Sequence, residues 1–117
     1  MSAAIPKGSL VVSCQARADN PLHGPLFMGA MARAAADGGE GAIRAKGPDD
    51  MRAVKQAGLP VIGIHKSFSD DPVYITPTFA AAEAVASAGA DIVALDCTAR
   101  PRRGETWPEI VRRIVEE

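Results

Sequence analysis

Gly58–Thr78, GLPVIGIHKSFSDDPVYITPT, joins a short apolar strand to two ionisable residues and then to a proline-bearing loop. A Gly58-Leu59-Pro60 turn leads into Val61, Ile62, Gly63 and Ile64, a run rich in β-branched residues that reads as a strand covered on both faces. Side chains alternate along a strand, so Lys66 shares a face with Ile64 and Ile62, and His65 shares the other with Gly63 and Val61. Lys66 therefore stands at the rim of an apolar interior, where partial desolvation lowers an ammonium pKa and suits it to proton transfer near neutral pH. Pro72 and Pro77 stiffen the loop that follows, and the hydroxyls of Thr76 and Thr78 are available to a polar ligand.

The same alternation of strand and helix extends in both directions. Upstream, Leu10–Ala16 reads as a first strand, followed by a helix over Leu26–Asp37 that stops at Gly38-Gly39. Gly41–Ala45 is the second strand. Gly47-Pro48-Asp49-Asp50 opens the next helix, with proline in its first turn, acidic residues at its amino end, and Met51, Val54 and Leu59 as an apolar stripe. Downstream, Thr78 caps a helix that ends at Gly89, Ala90–Cys97 is the fourth strand, and Thr106–Glu117 is the last helix, with Thr106 as its cap and Pro108 in its first turn. Four strand–helix units with short connections predict an α/β fold with a parallel sheet.

The 117 residues fit a single domain, 1–117, and its 13 basic and 14 acidic side chains argue against non-specific attraction to nucleic acid or membrane. No apolar run approaches the roughly 20 residues of a membrane span, and the first residues lack the pattern of a signal peptide, so a cytoplasmic location is expected. Cys14 and Cys97, both in expected strands and without zinc-like spacing, read as reduced structural thiols. Neither clustered His/Cys ligands nor a glycine-rich nucleotide fingerprint is present, so no metal and no organic cofactor is expected.

The strand ends carry the functional signal. By parity Gln15 shares a face with Ser13 and Val11, Arg44 with Ala42, Lys66 with Ile64, and Asp96 with Ala94 and Ile92. Parallel α/β proteins place their chemistry at the carboxyl ends of the strands, which makes this row of polar residues a candidate site. Each member has a structural alternative. Arg44 and Asp96 can form an ion pair, Lys66 can turn into water, Gln15 can bond a loop backbone, and the Arg100–Arg103 run can be a solvated loop instead of an anion site. His23 and His65 read as structural, and Trp107 as a packing residue.

With these residues in view, the chain resembles the N-acetylmannosamine-6-phosphate 2-epimerase family. The resemblance rests on SCQA at Ser13–Ala16, GAIRA at Gly41–Ala45, PVIGIHK at Pro60–Lys66, YITPT at Tyr74–Thr78 and ALDCTARPR at Ala94–Arg102, in the family's order and approximate spacing. It implies an isomerase of amino-sugar metabolism and sialic acid catabolism that interconverts N-acetylmannosamine 6-phosphate and N-acetylglucosamine 6-phosphate by proton transfer at the acetamido-bearing carbon. Carried over by position, Gln15 and Arg44 contact substrate, Lys66 is an acid/base residue and Asp96 supports the sugar site, while Thr76, Thr78, Arg102 and Arg103 are candidate ligand-binding residues, the arginines for phosphate. Family members are (β/α)8 barrels about twice as long, and these motifs correspond to the amino-terminal half. The family's second acid/base carboxylate and its phosphate-holding loops belong to the other half and do not occur in these 117 residues.

The expected fold is thus a (β/α)4 half-barrel, whose first and fourth strands are open edges and whose inner face, with Val11, Ala42, Ile62, Ile64, Ile92 and Ala94, would meet water. Homodimerisation through strands one and four completes a TIM-like (β/α)8 barrel. Two other outcomes follow from the same residues: a non-catalytic self-assembling half-barrel that binds at most a sugar phosphate or another anion, or a heteromeric enzyme whose other half comes from a separate chain.

Overall fold

The computed structural model describes residues 5, 7–17, 19–66, 75–97 and 106–116. Strands and helices alternate as β1 (Val11–Cys14), α1 (Pro25–Asp37), β2 (Ala42–Lys46), α2 (Pro48–Lys55), β3 (Val61–Ile64), α3 (Phe79–Ser87), β4 (Ile92–Val93) and α4 (Trp107–Glu116). The strands form one parallel sheet in the order β1-β2-β3-β4, as expected of consecutive βα units. Helix starts follow local chemistry. Pro25 and Pro48 occupy first turns, Asp49 and Asp50 sit at the amino end of α2 with Arg52 and Lys55 in its last turn, and Thr78 Oγ1 caps α3 by accepting from Ala81 N at 3.1 Å. Helix α2 ends at Lys55, short of the expected stripe; Leu59 joins the core from the turn that follows. No helix among the described residues is long and apolar enough to cross a membrane.

The register sorts the side chains into two faces. Ser13, Arg44, Ile62 and Ile92 are aligned across the sheet, and so are Cys14, Ala45, Gly63 and Val93 on the neighbouring positions. The second set faces the helices: Cys14, Ile43, Ala45 and Val61 are buried with Met28 and Ala32 of α1, Met51 and Val54 of α2, and Val85 of α3. Packing there is tight enough that a Cβ at Gly63 would lie 2.8 Å from Ala90 Cβ and 3.2 Å from Met51 Sδ. On the other face Val11 and Ser13 are exposed, and Arg44, Lys46, Ile62, Ile92 and Ala94 are half-buried. Ala42 and Ile64 on that face are fully buried within the single chain, so the expectation of six water-facing apolar residues is corrected at those two.

The fourth strand is much shorter than Ala90–Cys97, and its neighbours explain why. Direct pairing with β3 ends where Ala94 N donates to Gly63 O. Beyond that point Ile75–Thr76 enters between the two strand ends: Ile75 bridges Lys66 in antiparallel fashion, Thr76 N donates to His65 O at 2.7 Å, and Asp96 N donates to Ile75 O at 3.2 Å. Cys97 is consequently outside a strand and exposed, unlike the buried Cys14 in β1. At the opposite end of β4, Asp91 Oδ2 accepts from Lys55 Nζ at 2.7 Å and from Val61 N at 2.9 Å, tying the strand starts to α2.

The Thr76 hydroxyl donates to Ala94 O at 2.6 Å and accepts from His65 N at 3.1 Å, in a residue that is fully buried with φ of 46°. A threonine in the left-handed region is disfavoured, and these bonds offset that strain. Thr76→Val keeps the branch and removes both bonds, so urea denaturation should show a loss of about 1–3 kcal/mol; an unchanged midpoint would contradict this role. The Lys55 ammonium and the Val61 amide hold the Asp91 carboxyl below the usual aspartate range despite burial. Its contribution is therefore complete above that range and is lost as pH falls through the lowered native value. An Asp91→Asn chain should lose less stability than the wild type when both are taken into acid, measured as the pH dependence of the urea midpoint.

Candidate functional site

The carboxyl ends of β1, β2 and β3 converge on a cleft of about 510 Å3 lined by Arg17, His23, Lys46, Gly47, His65 and Lys66, with Asp19 and Pro48 at its wall. Gly47 makes the sharp exit from β2 with φ of 77°, which only glycine adopts readily, and its N–H donates to Ile64 O at 2.8 Å. This bond sets the start of α2 beside the end of β3 and brings Lys46 and Lys66 into one cleft. His23 is anchored by its Nδ1, 3.1 Å from Ala16 O. Behind the cleft, burial pushes the Asp50 carboxyl up, and Lys46 and His23 oppose that rise.

Lys66 is half-buried, and its pKa is lowered first by burial and then by repulsion from Lys46, Arg44 and Arg17. All these effects favour the neutral amine, the form that can accept a proton. No ion pair joins Arg44 to Asp96 among the described residues. Asp96 follows β4 on the far side of the inserted Ile75 and is not among the cleft's lining residues. Gln15 Nε2 donates to Ser13 Oγ at 2.7 Å, while Gln15 Oε1 and His65 Nδ1 are buried without partners among the described residues. Those two atoms can bond a ligand without first giving up a protein contact.

Two ligand-binding expectations change on this geometry. The Thr76 hydroxyl is bonded to the backbone on both sides and is fully buried, so it holds the strand ends together and is not offered to a ligand. The Thr78 hydroxyl is engaged as the cap of α3, although Thr78 also lines a smaller hollow beside His65 and Pro77. Arg102 and Arg103 lie outside the described residues. Lys46 and Arg17 are cleft residues that the strand-end reading missed. Ending the second strand at Ala45 left Lys46 out, although its even spacing from Arg44 places it on the same face; Arg17 follows β1 in a loop, where parity gives no signal. Among the described residues no three His, Cys, Asp or Glu side chains are grouped to hold a metal ion.

Fold and site together define a parallel α/β unit that presents a cation-rich cleft at the carboxyl ends of its strands. The NanE family, described as "Putative N-acetylmannosamine-6-phosphate epimerase", matches residues 28–117, and the chain belongs to it. It is 50% identical over 115 residues to a "Putative N-acetylmannosamine-6-phosphate 2-epimerase" of Synechococcus elongatus, covering 95% of this chain and 50% of that protein. A protein of the same description from Clostridioides difficile is 45% identical over 113 residues, with 94% of this chain and 51% of the relative covered. The solved N-acetylmannosamine-6-phosphate 2-epimerase of Clostridium perfringens superposes with a TM-score of 0.89 at 42% identity, over 96% of this chain and 50% of that one. The chain thus spans about half the length of the relatives it matches.

Selective labelling of the lysine side chains and NMR titration should find Lys66 losing its proton below the ordinary lysine range, near 10.4. Because the native state disfavours the charged form, the wild type should gain stability as pH rises from the lowered native value towards that range, and Lys66→Met should lack this gain. A Lys66 ammonium titrating with the exposed lysines would contradict the environment described.

Proposed function

We propose that this chain catalyses the epimerisation of N-acetylmannosamine 6-phosphate and N-acetylglucosamine 6-phosphate, as a homodimer whose two sheets close one barrel. The observation that carries the activity is Lys66: a half-buried amine with a lowered pKa, in a cation-rich cleft, in a chain belonging to this family. In the open-chain sugar, neutral Lys66 takes the proton from the acetamido-bearing carbon, and the electron pair moves onto the adjacent aldehyde oxygen as an enolate. Arg44 and Lys46 stabilise that charge. Return of a proton to the opposite face of the carbon inverts the centre and needs a second acid, a role assigned to the partner subunit's Asp96 or the partner subunit's Lys66.

The assembly is supported by where apolar surface lies. Among the described residues, the large exposed hydrophobic side chains are Leu10, Val11, Leu22, Leu26 and Phe27 around β1 and α1, and Trp107 and Val115 on α4. None is on β2, α2, β3 or α3. β1 and α1 lie at one edge of the sheet, and α4, packed on α3, lies towards the other. A further hollow of about 340 Å3 between α3 and α4, lined by Phe79, Ala82, Ala86, Val93 and Ile114 together with the polar Glu83 and Ser87, runs beside β4. A twofold arrangement that sets β1 of each chain against β4 of the other covers both edges at once.

Light scattering at micromolar concentration should give twice the 12.2 kDa chain mass; a folded monomer would contradict the assembly. In heavy water, the protein should exchange the proton on the acetamido-bearing carbon of N-acetylmannosamine 6-phosphate, and Lys66→Ala should slow this by about 10²–10⁴. A dimer without exchange would remove the catalytic reading and leave an anion-binding half-barrel. Exchange restored only by adding a separate chain would replace the homodimer with a heteromer.

A further inference from the structure

We propose that His23 is the acid/base residue that opens and closes the sugar ring, acting from the β1 side of the cleft while Lys66 works on the neighbouring carbon from the β3 side. The assignment rests on the sugar-phosphate reading above and adds the step that precedes deprotonation of the carbon.

The chemistry requires such a group. A carbon-bound proton becomes acidic beside a carbonyl, and in the ring form of an amino-sugar phosphate the neighbouring carbon is a hemiacetal without one. Lys66 therefore has nothing to act on until the ring opens. An imidazole suits that step, because it takes and returns a proton near neutral pH. Nε2 accepts the proton of the anomeric hydroxyl, and the electron pair of that O–H bond becomes the second bond of the new aldehyde. The bond from this carbon to the ring oxygen breaks with its pair on the oxygen, which takes the proton from the imidazolium. His23 ends as it began, nothing is oxidised or reduced, and the same steps in reverse close the ring on the epimer.

His23 stands out by how it is held. It is exposed and lies in the loop between β1 and α1, a setting in which side chains ordinarily move freely. Its backbone is nevertheless fixed: Asn20 N donates to Arg17 O at 2.9 Å, Leu22 N to Asn20 Oδ1 at 2.8 Å, and His23 N to Asn20 O at 2.9 Å. Its ring is fixed as well. Nδ1 lies 3.1 Å from Ala16 O, and since a carbonyl only accepts, Nδ1 carries the hydrogen and the neutral ring keeps its lone pair on Nε2. Among the described residues Nε2 enters no hydrogen bond, and the ring lines the cleft. Orientation of this kind reduces the ordering still to be done when a reactant binds.

The spacing fits two groups working on one sugar. Ala16 follows β1, Lys66 follows β3 and β2 lies between them, so the two anchors stand two strand spacings, ~10 Å, apart across the sheet. His23 and Lys66 reach into the same cleft of about 510 Å3, and a single sugar ring bridges the gap that remains between them.

Exchange NMR of N-acetylmannosamine 6-phosphate with the full chain measures how fast its α and β anomers interconvert, and deuterium uptake at the acetamido-bearing carbon measures the Lys66 step. The wild type should accelerate anomer interconversion over buffer, and His23→Gln, which keeps a donor for Ala16 O, should lose this acceleration by about a hundredfold or more. Added imidazole should restore it in His23→Ala above the rate of the same buffer without protein; loss without rescue in a folded His23→Ala would reduce His23 to a structural role. If His23→Ala does not fold by circular dichroism, His23→Gln carries the test. Deuterium uptake by a wild type that leaves the anomers at their buffer rate, or in which His23→Gln accelerates them equally, would overturn the assignment while leaving the epimerase reading standing. His23-dependent anomer interconversion in a protein that catalyses no deuterium uptake would sustain the assignment and remove the epimerase reading. A chain that catalyses neither reaction would overturn both.

Discussion

Parallel register with helices on one side is the constraint from which the rest of this molecule follows. Once Ser13, Arg44, Ile62 and Ile92 are aligned across the sheet, every second residue of each strand is committed to the same face. Helices α1, α2 and α3 bury the Cys14, Ala45 and Gly63 side, leaving Arg44 and Lys46 on the other. A shift of one residue in β2 would turn its cations into the helical core and Ile43 and Ala45 outward. The polar character of the cleft and the apolar character of the core are thus two consequences of one hydrogen-bonding pattern.

The insertion of Ile75–Thr76 gives that pattern its functional shape. By taking the hydrogen bonds that β3 and β4 would otherwise make to each other, it separates Lys66 from Asp96 by an intervening strand. Lys66 is left with β1 and β2 as its chemical neighbours, so its environment is basic on the sides described here. Partial burial and repulsion together keep its amine more easily deprotonated, an arrangement that costs stability. The buried, strained Thr76 belongs to the same device, since its hydroxyl joins the end of β3 to Ala94.

Much of the fold was legible because local signals agreed with the global one. Pro48 with Asp49 and Asp50, Thr78 before an alanine-rich run, and glycines after helices each marked a boundary that the coordinates repeat within a few residues. The cation face was legible at Arg44 and Lys66 through parity alone. Lys46 was lost by closing the second strand one residue early, and Arg17 could not be found, since a loop has no period. Nor could sequence separate Thr76 from Thr78: both are threonines beside prolines, yet one is locked between strand ends and the other caps a helix. The Lys55–Asp91 pair joins positions 36 residues apart, a contact only the folded chain creates.

In the proposed assembly a second copy of the same chain completes the open face and edges of this sheet. Mixing isotope-labelled with unlabelled chains and recording filtered nuclear Overhauser spectra reports only contacts between different copies. The account predicts cross-peaks from the Val11 methyls of one chain to the Ile92 or Val93 methyls of the other. Spectra in which these methyls show contacts only within their own chain would contradict it.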